Sequence, residues 1–266
     1  MLRIVVDGPR HPAYNMAMDE ALLLLRGEVD YDTLRIYKWS PPGVSLGRGQ
    51  PADAIDLEEI EKFGGVVVRR PTGGGALLHW EELTYSVVLS KEHPLAKLEV
   101  PESAAAIAKG VARAVESLGI EVGVKGGLGS GKDNLCYMRT GSSDVLVRGR
   151  KISGSAQLRL GNVLQHGTLL LNFTPAVWIR LIRTPGATPQ TLSSKVTSLR
   201  EVLSEVKEEV VINALVKSFK EVLGEEGRFA EPSKKEVELA HKLMRTKYSR
   251  EEWNLRGQEN DFPQHN

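Results

Sequence analysis

The chain has very little cysteine: Cys136 is the one thiol in 266 residues. An internal disulfide is thereby excluded, which fits a reducing, cytoplasmic setting. Charge of one sign is not in excess either, with 35 Lys and Arg against 34 Asp and Glu. No global field is present to hold nucleic acid or a membrane surface, and neither is expected as a partner. No apolar run reaches the length that spans a bilayer, and Met1 to Asp7 reads as a strand instead of a signal peptide. Six scattered histidines and one cysteine make no ligand-spaced cluster, so no metal site is expected. Internal repeats and low-complexity tracts are also lacking.

What is present is enough apolar material, 41% of residues, to bury a core as one large domain or a domain with a small appendage. Leu2–Val6 and Thr33–Trp39 alternate as strands, and Asn15–Leu25 is built from strong helix formers with Gly27 just past its end. Ser40-Pro41-Pro42-Gly43 stops the second strand, Val44–Gly49 is a short strand, and Asp56–Phe63 a short helix. Pro101 to Leu118 carries one apolar face at helical spacing, ended by Gly119. Gly123–Lys132 holds five glycines and no period, the composition of a loop. Asp144–Arg159 reads as a hairpin turning near Gly149, and Gly161-Asn162 turns a second hairpin into Val163–Leu171. From about Thr191 helical faces dominate. Hairpins interleaved with helices, then a helical tail, predict an α+β fold.

The stretch with the most chemical content is Arg69-Arg70-Pro71-Thr72-Gly73-Gly74-Gly75-Ala76-Leu77-Leu78-His79, between the strand-like runs Val66–Val68 and Thr84–Leu89. Three successive glycines remove every Cβ, permit positive φ, and let main-chain N–H groups approach a ligand. Two arginines add forked donors suited to carboxylate or phosphate, and His79 adds a titratable group. The spacing matches neither the dinucleotide fingerprint nor the Walker loop. From the residues alone this is a backbone cradle for an anionic or carbonyl-bearing ligand, or a glycine bulge in a hairpin with solvated arginines. Lys151 lies between Gly149 and Gly154, among Ser153, Ser155 and Ala156, which leave room beside it; it reads equally as a solvated edge-strand lysine. His166, in Gln165-His166-Gly167, and Cys136 are each open to a site role or to a core role.

These pieces occur together and in order with the early Asn15-Met16-Ala17-Met18-Asp19-Glu20 helix and the late Lys247–Asn254 tail. The set resembles the lipoate–protein ligase and octanoyltransferase family, relatives of biotin–protein ligase, over nearly the whole chain. The resemblance implies a biotin/lipoate ligase-like catalytic domain with mixed, largely antiparallel sheets flanked by helices. The chain would divide as 1–190 for acyl transfer and 191–256 as a helical portion of the same domain, with 257–266, which has no counterpart in the family, as a loose tail. The resemblance also implies transfer of octanoyl or lipoyl to a lysine of a lipoyl carrier domain, in 2-oxoacid dehydrogenases or the glycine cleavage H protein. Arg70, Thr72, Gly73, Gly74, Gly75, Ala76 and His79 would line the acyl pocket, with Gly154, Ser155, Ala156, His166, Gly167 and Thr168. Lys151 would touch the reacting carbonyl. The chain departs from the family at Trp80, where an acidic residue often follows the histidine.

Two routes stay open within that family. A ligase activates the free acid with ATP and Mg²⁺, with Lys151 and the arginines on the α-phosphate, and here would need a separate accessory subunit. A transferase needs no cofactor and takes the acyl group from acyl carrier protein through a cysteine thioester. Leu135-Cys136-Tyr137 ahead of Arg150–Gln157 and Leu164–Gly167 resembles the cysteine-loop octanoyltransferases, so the transferase, with Cys136 as nucleophile, is the preferred reading. A biotin–protein ligase and a carrier-binding module without chemistry are the rivals.

Overall fold

The computed structural model describes residues 1–124, 134–138, 141 and 143–258. The expected loop of Gly123–Lys132 therefore lies largely outside the described residues, as does the tail from 259 onward. The chain opens with β1 (Leu2–Arg10) and α1 (Pro12–Leu25). The helix starts earlier than Asn15 because Pro12 fills its first turn, where no N–H is needed, and His11 accepts the Ala13 N–H. β2 (Asp32–Trp39) and β3 (Gly43–Leu46) follow, then α2 (Leu57–Lys62), β4 (Val66–Arg69), β5 (Leu77–His79) and β6 (Glu82–Leu89). Next come α3 (Val100–Ser117), β7 (Val122–Val124), β8 (Val145–Val147), β9 (Arg150–Leu160) and β10 (Asn162–Leu170). The remainder is α4 (Pro175–Leu181), α5 (Pro189–Ser193), α6 (Leu199–Val202), α7 (Glu208–Leu223), β11 (Gly227–Phe229), α8 (Lys234–Leu243) and α9 (Glu251–Asn254). A π-helical turn, Met244–Tyr248, joins α8 towards α9.

Eight strands form one sheet in the order β11-β1-β2-β6-β10-β9-β8-β7, and three form a second, β4-β3-β5. β1 is parallel to both its neighbours, and the ladders from β2 through to β7 are antiparallel. Mixed, largely antiparallel sheets flanked by helices are the α+β arrangement expected. Period-two alternation places the two faces in different cores. Leu34, Ile36, Leu83, Tyr85 and Val87 face the helices α3 and α7, whereas Tyr37, Val88 and Leu164 face α1 and α8. Gly110 lets α3 and α7 close together, since a Cβ there would lie 2.5 Å from the Phe219 ring.

Two expectations change. The glycine stretch does not close a hairpin: β4 and β5 do not pair with each other but flank β3, parallel on one side and antiparallel on the other. The 72–76 turn must therefore cross over the end of β3. The tail is also not wholly helical, because β11 returns to pair with β1. Among the described residues no helix is long and apolar enough to cross a membrane.

Candidate active site

Two of the three glycines are required by the backbone around them. Gly74 has φ of +101°, a conformation that a side chain disfavours. Gly75 lies against the 134–138 segment, where a Cβ would sit 2.9 Å from the Cys136 nitrogen, and at Gly73 a Cβ would meet nothing within 4 Å. The Ala76 N–H donates to the Asn134 carbonyl at 2.7 Å and the Cys136 N–H to the Ala76 carbonyl at 2.9 Å. The turn thus fixes the backbone that carries the thiol.

The arginines do not present their donors to a ligand in this structure. Arg70 directs Nε and both terminal nitrogens to the carbonyls of Gly73, Gly75 and Ser45 and to Ser45 Oγ, at 2.7 to 3.2 Å. Arg69 binds the carbonyls of Gly47, Arg48, Gln50, Trp253 and Leu255. Arg69 is 1% exposed and ties α9 to the base of the glycine turn. A lysine has one nitrogen to serve positions that the planar fork reaches together. Arg69→Lys is expected to cost about 2–3 kcal/mol and to speed hydrogen exchange in 251–258 ahead of the rest of the chain. Uniform exchange across the molecule would count against this clamp.

A narrow slot opens beside the turn. It encloses about 360 Å³ of atom-free space including its mouth, and only about 30 Å³ of it is wide enough for the centre of a water molecule. Arg70, His79, Cys136, Gly154, Ser155, Ala156, His166, Gly167 and Thr168 line it, joined by Met16, Tyr37, Leu77 and Thr84. Thr72, the glycines and Ala76 are not in its wall; they hold the wall up.

Lys151 is 5% exposed, not a solvated edge residue. Its strand β9 lies between β8 and β10, and its backbone also bonds to Lys195 and Thr197. Nζ is 2.8 Å from Asp144 Oδ1, donates to the Cys136 carbonyl at 3.3 Å, and lies 5.2 Å from the centre of the Tyr137 ring. The 134–138 segment therefore stands between Lys151 and the glycine turn. Gly154 keeps the ammonium in reach of the slot, because a Cβ there would lie 3.0 Å from Nζ.

His166 and His79 sit in separate networks. His166 Nδ1 is 3.0 Å from Asp19 Oδ2, and Nε2 is 2.6 Å from Thr72 Oγ1. Burial pushes the Asp19 carboxyl up, but the His166 hydrogen bond and the Arg35 charge outweigh it and hold Asp19 below its ordinary value. His79 is held well below its ordinary value by burial, with the Arg70 and His166 charges adding to it. It stacks on Trp39 at 3.8 Å, and its nitrogens reach Ser45 Oγ at 2.9 Å and Glu82 Oε1 at 3.2 Å. Trp80 packs edge-on against Phe63. The carboxyl that His79 meets is that of Glu82, whose pKa burial pushes up to about 8.

Asp19, Tyr37, Glu82, Tyr137 and Asp144 escaped sequence reasoning as site residues. Asp19 carried a signal, one of two adjacent carboxyls in a mostly apolar helix. Tyr137 stood beside Cys136 in a motif already singled out, and Tyr37, an inward-facing aromatic of β2, carried no signal. The one tight grouping of possible metal ligands among the described residues is Asp32, His93 and Glu225, at the end of β2 away from Tyr37. There Asp32 already binds Arg26 and the Ser90 N–H.

The architecture is that of solved lipoate–protein ligases. A bipartite lipoate protein ligase from Thermoplasma acidophilum, solved in a study with its E2 lipoyl domain, is 26% identical, with TM-score 0.81 over 98% of this chain and 97% of that one. Lipoate-protein ligase A bound with ATP is 27% identical, with TM-score 0.81 over 95% and 98%. The chain belongs to the lipoyl protein ligase A/B catalytic domain family, which matches residues 11–220. Octanoyltransferase LipM of Kyrpidia tusciae is 37% identical over 96% of this chain and 98% of its own length.

Proposed function

We propose that the protein is an octanoyltransferase that carries the acyl group on Cys136 and delivers it to the lysine of a lipoyl carrier domain. The observation that carries this reading is the place of Cys136 in the slot wall beside Gly154–Ala156 and His166–Thr168, with the Lys151 ammonium against its own carbonyl. The octanoyltransferase relative, matched end to end, supports the same donor chemistry. The acyl tail would lie in the slot between Leu77, Met16 and Ala156. Thiolate attack would break the donor thioester, and the charge developing on the carbonyl oxygen would be met by a fixed, water-shielded ammonium. Acyl carrier protein is the donor in this reading. Lipoyl domains of 2-oxoacid dehydrogenases or the glycine cleavage H protein are the acceptors, and neither cofactor nor second subunit is needed.

The ATP-dependent ligase is the second reading, favoured by likeness to the ATP-bound ligase and by an open groove beyond the glycine turn. Arg48, Pro71, Thr72, Gly73 and Trp253 are among the residues in its wall. One experiment separates the two. The protein is incubated with octanoyl-acyl carrier protein, or with lipoate and MgATP, and its mass is read before a carrier domain is added. An octanoyl adduct that is absent from Cys136→Ala is expected. No adduct, with ATP-dependent modification of the carrier intact in Cys136→Ala, would replace the transferase by the ligase.

A further inference from the structure

This inference rests on the thioester reading and concerns where its proton goes. Loading is proton-neutral: Cys136 gives up its S–H proton, its sulfur bonds to the acyl carbon, and the departing donor thiolate takes a proton up. Amide formation is not neutral. The acceptor lysine arrives as an ammonium, its ordinary pKa being about 10.4. As the N–C bond forms and the C–S bond breaks, nitrogen loses two protons. One goes to the Cys136 sulfur, and the other must leave a slot barely wider than water.

The slot wall offers few acceptors. His79 is buried behind Trp39, with its nitrogens on Ser45 and Glu82. Lys151 is paired with Asp144. His166 differs. Asp19, fully buried, takes hydrogen bonds from Arg35 at 3.0 Å, Ser86 at 2.9 Å and Tyr37 at 2.7 Å. An ionised carboxylate has no proton to give, so the Nδ1–H of His166 is the donor to it. With Nδ1 carrying that proton, the lone pair of the neutral form of the ring is on Nε2, pointed at the Thr72 hydroxyl 2.6 Å away. Thr72 in turn forms part of the wall of the open groove with Arg48, Gly73 and Gln157. This is the connectivity of an acid–histidine–hydroxyl triad, laid from Asp19 on α1 through His166, in the slot wall, to Thr72, in the groove wall.

We propose that Thr72, His166 and Asp19 form the relay that takes the proton of amide formation out to the groove. The Thr72 oxygen accepts the ammonium proton as its own hydroxyl proton passes to His166 Nε2. Asp19 holds the resulting imidazolium, and the reverse shift hands a proton from Thr72 to water in the groove. Asp19 touches no reacting atom; it is a positioning residue that fixes the tautomer of His166.

The test measures the two half-reactions apart, using the full chain with octanoyl-acyl carrier protein and an apo lipoyl domain. Thr72→Val is expected to slow amide formation from the loaded enzyme on the order of 10²-fold while loading changes by less than about threefold. Thr72→Ser, which keeps the hydroxyl, is expected to restore the second step to within about threefold of the natural chain. Asp19→Asn is expected to act in the same direction as Thr72→Val, on the second step alone. Amide formation at the natural rate in Thr72→Val, equal slowing in the Val and Ser variants, or equal slowing of both steps would overturn the relay. Should Thr72→Val melt early, the unmodified chain in D₂O gives a second readout. Slower amide formation with unchanged loading supports the relay, and equal slowing of both rejects it. If the unmodified chain never loads, the thioester reading fails instead. The relay is then judged by the Val-to-Ser ratio in overall carrier modification from whichever donor works.

Discussion

Replacing Lys151 with alanine is expected to lower octanoyl transfer by on the order of 10²–10³-fold and to destabilise the folded chain by about 3–5 kcal/mol. The two effects have separate causes. Transfer falls because the ammonium against the Cys136 carbonyl is gone from a site with little water to replace it. Stability falls because Asp144, its side chain 4% exposed, keeps a buried charge without the partner at 2.8 Å. The melting temperature should drop by roughly 10 °C, at about 2–4 °C per kcal/mol for a chain of this size. Lys151→Met combined with Asp144→Asn removes both charges and is expected to recover most of that drop and none of the activity. Melting curves and carrier modification rates check both halves. A fully active Lys151→Ala chain would remove the lysine from the chemistry, and a double variant as unstable as the single one would remove the charge argument.

Stability should also fall as pH rises between about 4.5 and 8, and Glu82 is the cause. Its carboxyl is raised from 4.5 to about 8 by burial, against the Thr84 hydrogen bond and the Lys38 charge, which both pull it down. Below 4.5 the group is protonated folded and unfolded, and contributes nothing to the pH dependence. Between 4.5 and 8 only the folded chain keeps the proton, so unfolding releases it and becomes easier with each step up in pH. Above 8 the full penalty, roughly 5 kcal/mol at 1.36 kcal/mol per pKa unit, is present. Glu82→Gln preserves shape and removes the titration. It is expected to match the natural chain at pH 5 and to exceed it by several kcal/mol at pH 9, in urea unfolding at each pH. An equal gap at both pH values would mean that Glu82 is ionised in the folded chain.

How much of this was legible in the sequence depends on the range over which each residue acts. Strands β1, β2, β9 and β10 and helices α1, α3 and α7 showed because alternation and helical spacing are local. Gly149 and Gly161 marked their hairpins because a turn needing positive φ, +75° and +73° here, selects glycine wherever it occurs. The glycine turn at 73–75 was found for the same reason, but its topology was not. That β4 and β5 flank β3 is a fact about Val44 and Leu78, more than thirty residues apart in sequence. The slot followed a similar split. Eleven of its wall residues fall in motifs already singled out, while Tyr37 and Thr84 are ordinary members of strands whose inward side only the pairing decides. The partners that the arginines take within the fold were not legible. A forked cation before a glycine turn suits an anion, yet the carbonyls stranded by the irregular backbone at 45–50 and 73–75 claim the same donors first.

The pairing of β1 with β11, and the buried contact at 2.7 Å between Arg3 and Glu236, join the two extremes of the chain. A ribosome releases Arg3 more than two hundred residues before its partner exists. During that interval the outer edge of β1 has no neighbouring strand, and a nascent chain with such an edge is open to wrong pairings. Completion of the large sheet is thus deferred until residues 227–236 have been made.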